Sequence, residues 1–312
     1  MTSLTTSGRI TGLRPTTTFR ERLDVPRRVV FVAALSMIGI VVVMLAFIAW
    51  QGIQLFVAGH VTPASLLSTT WQPDNTAGAV TFGMLPFVAG TVGVTALAVL
   101  ISAPLSVGLA LFLSEIAPAW ARTVLQPALE IFVGIPSVVY GWLGLTVLVP
   151  WLRENLSGAG FTLGFSWFAG SLVLSLMILP TITTVTYDAF RAVPQDQRTA
   201  SLALGTTRWQ TIRHILVPAG LAGTLTAIVL GMTRAAGEAL AVQMVIGNRP
   251  VVPTSIAQPM TTLTSQITLD MGNTVFGEPW NDALWTMALI LLLISIGFVI
   301  LIRVLNGRRK FQ

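Results

Sequence analysis

Long runs of apolar residues, almost unbroken by charge, constrain this chain more than any other feature of its sequence. The first run, Val29–Trp50, has about 22 residues, enough to cross a hydrocarbon core of about 30 Å at a helical rise of about 1.5 Å per residue. Charged residues make up 10% of the 312 residues, whereas ordinary soluble domains contain about a quarter. A soluble fold cannot bury so much apolar surface, so a lipid bilayer is the expected solvent.

Five further apolar runs predict five further membrane-spanning helices: Phe87–Leu113, Ile131–Val149, Phe165–Thr186, Ala219–Ile246 and Leu284–Ile302. The predicted fold is therefore an all-α integral membrane protein with six transmembrane helices. Its expected segments are a basic arm (1–28), the first transmembrane helix (29–50), a loop (51–85), a core of five helices (86–306) and a basic tail (307–312).

The distribution of Lys and Arg predicts the orientation, because positive charge favours the cytosolic side of a membrane. With the N-terminus inside, almost all of the 18 basic residues lie in cytosolic segments. Only Arg153 and Arg249 lie outside, and Arg234 lies within a span. Both termini are therefore predicted to be cytosolic, and the loops 51–85 and 247–283, around Thr76 and Thr264, to be external.

The cytosolic segment Pro194–Pro218 predicts two short amphipathic helices. Pro194 suits a helix start, Gly205 interrupts the helical pattern, and Thr206 or Thr207 is placed to cap a second helix. From the residues alone, the segment also fits a surface loop that rests on lipid headgroups.

The block Gly134–Gly141, with the sequence GIPSVVYG, lies inside the third predicted span. Proline removes a backbone hydrogen bond and clashes with the preceding turn, so Pro136 predicts a helix interrupted within the bilayer. Two interpretations stay open: the small residues permit close helix packing, or the break lines a translocation path with its free backbone groups, beside Ser137 and Tyr140.

A charged pair, Arg234 and Glu238, lies within the fifth predicted span. Arg234 is expected near the middle of that span, with Glu238 four residues later and therefore on the same helix face. A charge at such depth costs at least about 2.5 kcal/mol, so the two side chains are expected to pair. The pair fits either a solute pathway or a structural contact.

Several functional classes lack support in the sequence. There is no cysteine, and two histidines are too few and too far apart for a metal centre. The sole lysine, Lys310, lies near the C-terminus, whereas a Walker A site needs a lysine after glycine. The basic residues do not cluster with aromatic residues, which argues against nucleic acid. An enzyme is therefore not favoured, and any ATP would be bound by a separate subunit.

The segment Pro194–Pro218 resembles the EAA signature of ABC importer permeases, in which Glu-Ala-Ala is followed by three residues, Gly, nine residues and Ile-x-Leu-Pro. Thr199 stands in place of the signature's glutamate, and Ser201 in place of its second alanine. The resemblance implies a cytosolic two-helix coupling loop (194–218) seated in a groove of an ATPase subunit. The implied coupling residues are Thr199, Ala200, Gly205, Arg208, Ile215 and Pro218.

Residues 80–305 resemble the permease subunits of the phosphate-specific (Pst) ABC importer, and PstC more closely than PstA. The blocks that carry the resemblance are FGMLPFVAGT, LSEIAP, GIPSVVYG, TRAAGEALAV and PTSIAQPM. It implies a phosphate permease of the inner membrane that has no cofactor of its own and forms half of a translocation path. The implied pathway residues are Arg234, Glu238, Pro136, Ser137 and Tyr140.

The partners implied by this resemblance are a second, PstA-like permease subunit, a PstB-like ATPase dimer that binds ATP, and an external PstS-like phosphate-binding protein. Two alternatives stay open. A buried arginine would bind another oxyanion by the same charge-assisted hydrogen bonds, and six spans with a buried ion pair would also suit a secondary transporter or a channel.

Overall fold

The computed structural model describes residues 18–59, 61–74 and 80–307. The basic arm (1–28), the stretch around Thr76 and the basic tail (307–312) lie wholly or largely outside these residues. The chain divides into two compact units, Met1–Ala49 and Trp50–Gln312. The described part of the first unit, residues 18–49, belongs to a single helix.

Helices dominate the described residues. They are α1 (Thr18–Val57), α2 (Leu85–Leu111), α3 (Ala119–Gly134), α4 (Ser137–Leu143), α5 (Val149–Asn155), α6 (Trp167–Arg191), α7 (Gln195–Ala203), α8 (Arg208–Thr211), α9 (Val217–Ala236), α10 (Leu240–Ile246), α11 (Leu263–Asp270) and α12 (Pro279–Gly307). Single π-helical turns follow α2, α4 and α8 at Phe112–Ile116, Gly144–Leu148 and Ile212–Leu216. Two short antiparallel strands, β1 (Trp71–Gln72) and β2 (Thr81–Phe82), pair Trp71 with Phe82.

Five helices of the described chain are long and apolar enough to cross a membrane. They are Arg28–Val57, Leu85–Ile116, Trp167–Arg191, Arg208–Ala236 and Pro279–Leu301. A sixth span results if Ala119–Gly134 and Ser137–Asn155, which meet at an angle of 93°, are counted as one broken span. The predicted all-α membrane fold is confirmed.

The fifth span differs from its prediction. Hydropathy placed it at Ala219–Ile246, but the helix begins with α8 and ends at Ala236, and α10 follows as a separate short helix. Gly237 is a weak helix former, and the carboxylate of Glu238 accepts a hydrogen bond from the backbone N–H of Ala241 at 3.3 Å. That contact satisfies a backbone N–H at the start of α10. The helix is therefore interrupted at residues 237–239, although the apolar run continues through them.

The second unit has its main core where α2, α6, α9 and α10 pack together, with α4 against α10. Small residues permit the close approach of α6 and α9: a Cβ at Gly220 would lie 2.5 Å from the Phe190 ring, and one at Gly231 would lie 2.7 Å from Ile182. Such contacts are typical of membrane helix pairs, where packing replaces the hydrophobic effect.

The two ends of this helix bundle differ. One end, here termed the coupling-loop end, carries residues 194–218 between α6 and α9. The opposite end carries α11, in the segment predicted as an external loop (247–283). That segment is not simply exposed: the start of α11 is buried, and Thr264 itself is only 6% exposed. Its backbone enters the bundle beside α2.

Candidate functional site

The coupling loop consists of α7 and α8 joined by a tight turn. Gly205 has a φ of +83°, a left-handed conformation that only glycine adopts at little cost. Thr207 caps α8 through a capping box: its hydroxyl accepts from the N–H of Gln210 at 3.3 Å, and the Gln210 side chain accepts from the N–H of Thr207 at 2.8 Å. The glycine break and a threonine cap were both predicted from the sequence.

Three hydroxyl groups hold the two helices of the coupling loop together. Ser201 Oγ lies 2.9 Å from Thr206 Oγ1 and 3.0 Å from Thr211 Oγ1. Ser201 and Thr211 are only 8% and 7% exposed, so each buried hydroxyl is satisfied within the cluster. This cluster is not predicted from the sequence, although Ser201 departs from the family signature.

An apolar tip and a groove form the exposed surface of the coupling loop. Leu204 is 86% and Trp209 64% exposed. A groove of about 520 Å³ runs between the two helices and is lined in part by Ala200 and Ile215. Thr199, Gly205, Arg208 and Pro218 are also exposed. All six predicted coupling residues are therefore exposed or partly exposed on the coupling loop, where another protein can contact them.

The break at Pro136 separates α3 from α4, as predicted. Tyr140 bridges it, because its hydroxyl donates to the carbonyl of Phe132 at 2.9 Å. Pro136 is exposed and Ser137 partly buried. Beyond the break, α4 packs against α10 through glycine: a Cβ at Gly141 would lie 2.8 Å from the Cα of Ala241. The block is therefore an interrupted helix, as predicted, and a site of close helix packing. That it lines a translocation path stays a prediction.

A second break lies between α9 and α10, at residues 237–239. Besides capping α10, Glu238 accepts a hydrogen bond at its own carbonyl oxygen from Thr264 Oγ1, at 2.9 Å. The break is thus held from the opposite end of the bundle by the start of α11. Because α4 and α10 are packed together, the two broken helices lie side by side.

Arg234 lies two residues before the end of α9 and not in the middle of that helix. Its Nη1 donates to Thr181 Oγ1 on α6 at 2.8 Å. The predicted pair with Glu238 is wrong, because no carboxylate of the described residues lies within ion-pair distance of Arg234. The helix ends before position 238, so the spacing of four residues no longer places both side chains on one face.

The arrangement around Arg234 is suited to binding an anion. A guanidinium group has five N–H donors in a rigid fork, and the hydrogen bond to Thr181 uses one of them. Among the described residues, no group of three His, Cys, Asp or Glu side chains could hold a metal ion.

Residues 106–311 match a protein family described as "Binding-protein-dependent transport system inner membrane component". One curated relative is the "Probable ABC transporter permease protein YqgH" of Bacillus subtilis (strain 168), 50% identical over 286 residues that cover 91% of each chain. Another is the "Phosphate transport system permease protein PstC" of Mesorhizobium japonicum, 32% identical over 86% of this chain and 84% of that one.

A solved structure of similar fold is that of a bacterial ABC transporter involved in the import of the acidic polysaccharide alginate. Its TM-score is 0.63 at 16% sequence identity, and the match covers 93% of this chain and 99% of that one. At so low an identity, the similarity is one of fold alone.

Proposed function

The chain belongs to the family of inner-membrane components of binding-protein-dependent transport systems, and on this premise we propose that it is the PstC-like permease subunit of an ATP-driven importer of inorganic phosphate. Permeases of this class are multi-pass membrane proteins that work with a separate ATPase and a substrate-binding protein. The finer assignment to phosphate draws support from the PstC relatives, 31% to 34% identical, and from the chemistry of Arg234.

The observation that carries the proposal is the hydrogen bond of Arg234 to a hydroxyl group, with no carboxylate within ion-pair distance among the described residues. A guanidinium that is paired with a carboxylate would have to release that carboxylate before it could bind the solute. Arg234 instead keeps its charge and its planar fork, which matches two oxygens of a phosphate at once. Thr181 orients the fork without neutralising it.

In the proposed mechanism, the two breaks form this subunit's half of the pathway. Arg234 receives the anion, and the broken backbone near Pro136, Ser137 and Tyr140 lines its route. Glu238 contributes by capping α10 and fixing the second break, and not by pairing with Arg234. A PstA-like subunit supplies the other half of the pathway, and a PstS-like protein delivers phosphate from outside.

In this mechanism the coupling loop connects the permease to the ATPase whose ATP hydrolysis drives import. In the proposal, the tip around Leu204 and the groove beside Ala200 seat on a PstB-like ATPase dimer, which binds the ATP. Both termini of the chain then lie on the cytosolic side, together with the coupling loop. Thr199, Gly205, Arg208, Ile215 and Pro218 complete the contact.

Reconstitution tests the proposal directly. The chain is assembled in proteoliposomes with its second permease, its ATPase and its binding protein, and the ATP-dependent uptake of radiolabelled phosphate, sulfate and molybdate is compared. We expect phosphate uptake that stops when the ATPase carries an inactivated Walker A lysine. Uptake of sulfate or molybdate in preference to phosphate would agree with an ATP-driven importer but would contradict the assignment of phosphate as its substrate. Uptake that continues without ATP would favour a secondary transporter.

A further inference from the structure

A partly buried ion pair joins the coupling loop to the end of α2. Arg198, on α7, has its Nη1 2.8 Å from Glu115 Oε1, which lies in the π-helical turn after α2. The two side chains are only 15% and 19% exposed. The pair is closer and less exposed than the Arg153–Glu154 pair, whose atoms lie 3.9 Å apart, so solvent screens its attraction less.

Arg198 makes a second contact that fixes its direction. Its Nη2 donates to the backbone carbonyl of Phe190, near the end of α6, at 2.6 Å. The guanidinium of Arg198 thus joins α7 to both α6 and the turn after α2. Any displacement of α7 moves the Glu115 turn with it, or breaks this pair.

The other end of α2 is held just as closely. Thr91, only 2% exposed, accepts at its hydroxyl a hydrogen bond from the backbone N–H of Leu263 at 2.9 Å. Next to it, Gly90 lies against the backbone of Thr261, so that a Cβ at position 90 would overlap the Thr261 carbonyl oxygen. The start of α11 is therefore seated directly on the first turns of α2.

From α11, one further hydrogen bond reaches the second break. Thr264 Oγ1 donates to the carbonyl of Glu238, four residues after Arg234. The 27 residues of α2 span about 40 Å at the helical rise of 1.5 Å. A continuous series of direct contacts thus runs from the coupling loop, along α2, to the break beside Arg234.

We propose that Glu115, Arg198 and Thr91 are positioning residues, and that they transmit displacement of the coupling loop along α2 to the break at Glu238. The proposal rests on the proposed function, because it assumes that an ATPase moves the loop. None of the three residues touches the solute. They act by joining one rigid helix to a moving part at each end, and rigid helices with hydrogen-bonded and ionic contacts can carry coupling between distant sites.

The first test reads conformation and does not depend on which anion is carried. Because the chain has no cysteine, Leu269→Cys places a single thiol on α11. Its labelling rate is measured in the assembled complex with and without bound ATP. We expect ATP to change the rate in the parental protein, and expect Glu115→Gln and Thr91→Val to abolish that change while ATP still binds. An unchanged parental rate, or an ATP response kept by both variants, overturns the proposal.

The second test is a double-mutant cycle on solute imported per ATP hydrolysed. If both contacts belong to one route, breaking either end interrupts it, and breaking both does no further harm. We expect about a tenfold loss for Glu115→Gln, for Thr91→Val and for the double variant alike. Losses that multiply to about a hundredfold would mean that the two ends act independently, which overturns the proposal.

A matched control separates transmission from mere stability. Glu154→Gln removes the exposed ion pair with Arg153 and is expected to change neither ATP response nor import. Glu115→Gln is expected to leave the complex assembled and its ATP hydrolysis near the parental rate. If Glu115→Gln instead reduces the amount of assembled complex in proportion to import, the pair is structural and the proposal is wrong.

Discussion

Arg234 and Thr181 lie 53 residues apart in the sequence and are joined by a hydrogen bond of 2.8 Å between Nη1 and Oγ1. The bond crosses from α9 to α6 near the point where α9 ends. It gives the guanidinium a neutral partner, which holds its direction and leaves its positive charge in place.

Replacing Thr181 by valine should impair import, because valine has nearly the same shape but cannot accept the hydrogen bond. A hydrogen bond to a charged group contributes about 1.5–3 kcal/mol, so we expect import at limiting phosphate to fall about tenfold or more. Thr184→Val is the matched control, since Thr184 Oγ1 bonds only to backbone carbonyls of its own helix in the described contacts. Equal losses in both variants would contradict the role of Thr181.

Arg234 and Glu238 should respond differently to conservative substitution. Arg234→Lys keeps the charge but loses the planar fork, and we expect it to lose most phosphate import. Glu238→Gln keeps an oxygen that can accept from the N–H of Ala241, and we expect near-parental import. The neutral double variant Arg234→Gln, Glu238→Gln should be as inactive as Arg234→Gln alone. Recovery of import in the double variant would show that the two residues form a functional pair after all.

The packing of α4 on α10 should depend on Gly141. A side chain there would meet Ala241 and Met244 within 3 Å, and overpacking of this kind costs about 1–3 kcal/mol. We expect Gly141→Val to lower the thermal unfolding temperature in detergent and to abolish import. Gly134→Ala is the control, because nothing lies within 4 Å of a Cβ at that position. A Gly141→Val variant as stable as Gly134→Ala would refute the close packing.

The turn of the coupling loop should tolerate asparagine at position 205 but not valine. Gly205 has open space around it, so its requirement is conformational: a left-handed residue costs about 1–2 kcal/mol with an ordinary side chain, and asparagine adopts that conformation more readily. We expect Gly205→Asn to retain most ATP-driven import and Gly205→Val to lose it with normal membrane abundance. Import is compared with the ATPase activity of the same complex. Equal import by both variants would contradict the requirement for a left-handed conformation at position 205.

The orientation can be tested with single cysteines at exposed positions. Val275 is 63% exposed on the α11 side, and Leu204 is 86% exposed at the tip of the coupling loop. In cells that lack the ATPase subunit, so that the coupling loop is uncovered, an impermeant thiol reagent added to intact cells should label Val275→Cys, and should label Leu204→Cys only after permeabilisation. Thr264 is unsuitable as a reporter because it is buried. The reverse labelling pattern would invert the proposed topology.

The sequence was sufficient to predict the elements whose signals are local. Long apolar runs identified α1, α2, α6 and α12, because the length needed to cross a bilayer is the same for any span. Gly205 and Thr207 marked the turn of the coupling loop, since both act on the backbone within a few residues. Pro136 marked a break for the same reason. All of these depend on neighbours in the chain.

The contacts of the charged residues could not be predicted in this way. Glu238 is four residues after Arg234, a spacing that suggests an ion pair on a helix, but it is also three residues before Ala241, a spacing that suits a cap. Hydropathy does not distinguish an ion pair from a helix cap at this position, because the apolar run continues through both α9 and α10. The partners Thr181 and Glu115 lie far from Arg234 and Arg198 in the sequence, and only the folded packing brings them together.

The hydrogen bond between Thr91 and Leu263 also constrains how the protein is made. These residues are separated by 172 positions, and a ribosome adds about 5–20 residues per second, so roughly 10 to 30 s pass between their synthesis. During that interval α2 is already in the membrane, and the surface beside Gly90 has no α11 to cover it. The nascent permease therefore passes through a stage in which α2 has been made but α11, in the last sixth of the chain, has not. Slow synthesis of the segment between them would prolong the stage in which an incomplete chain is most open to proteolysis.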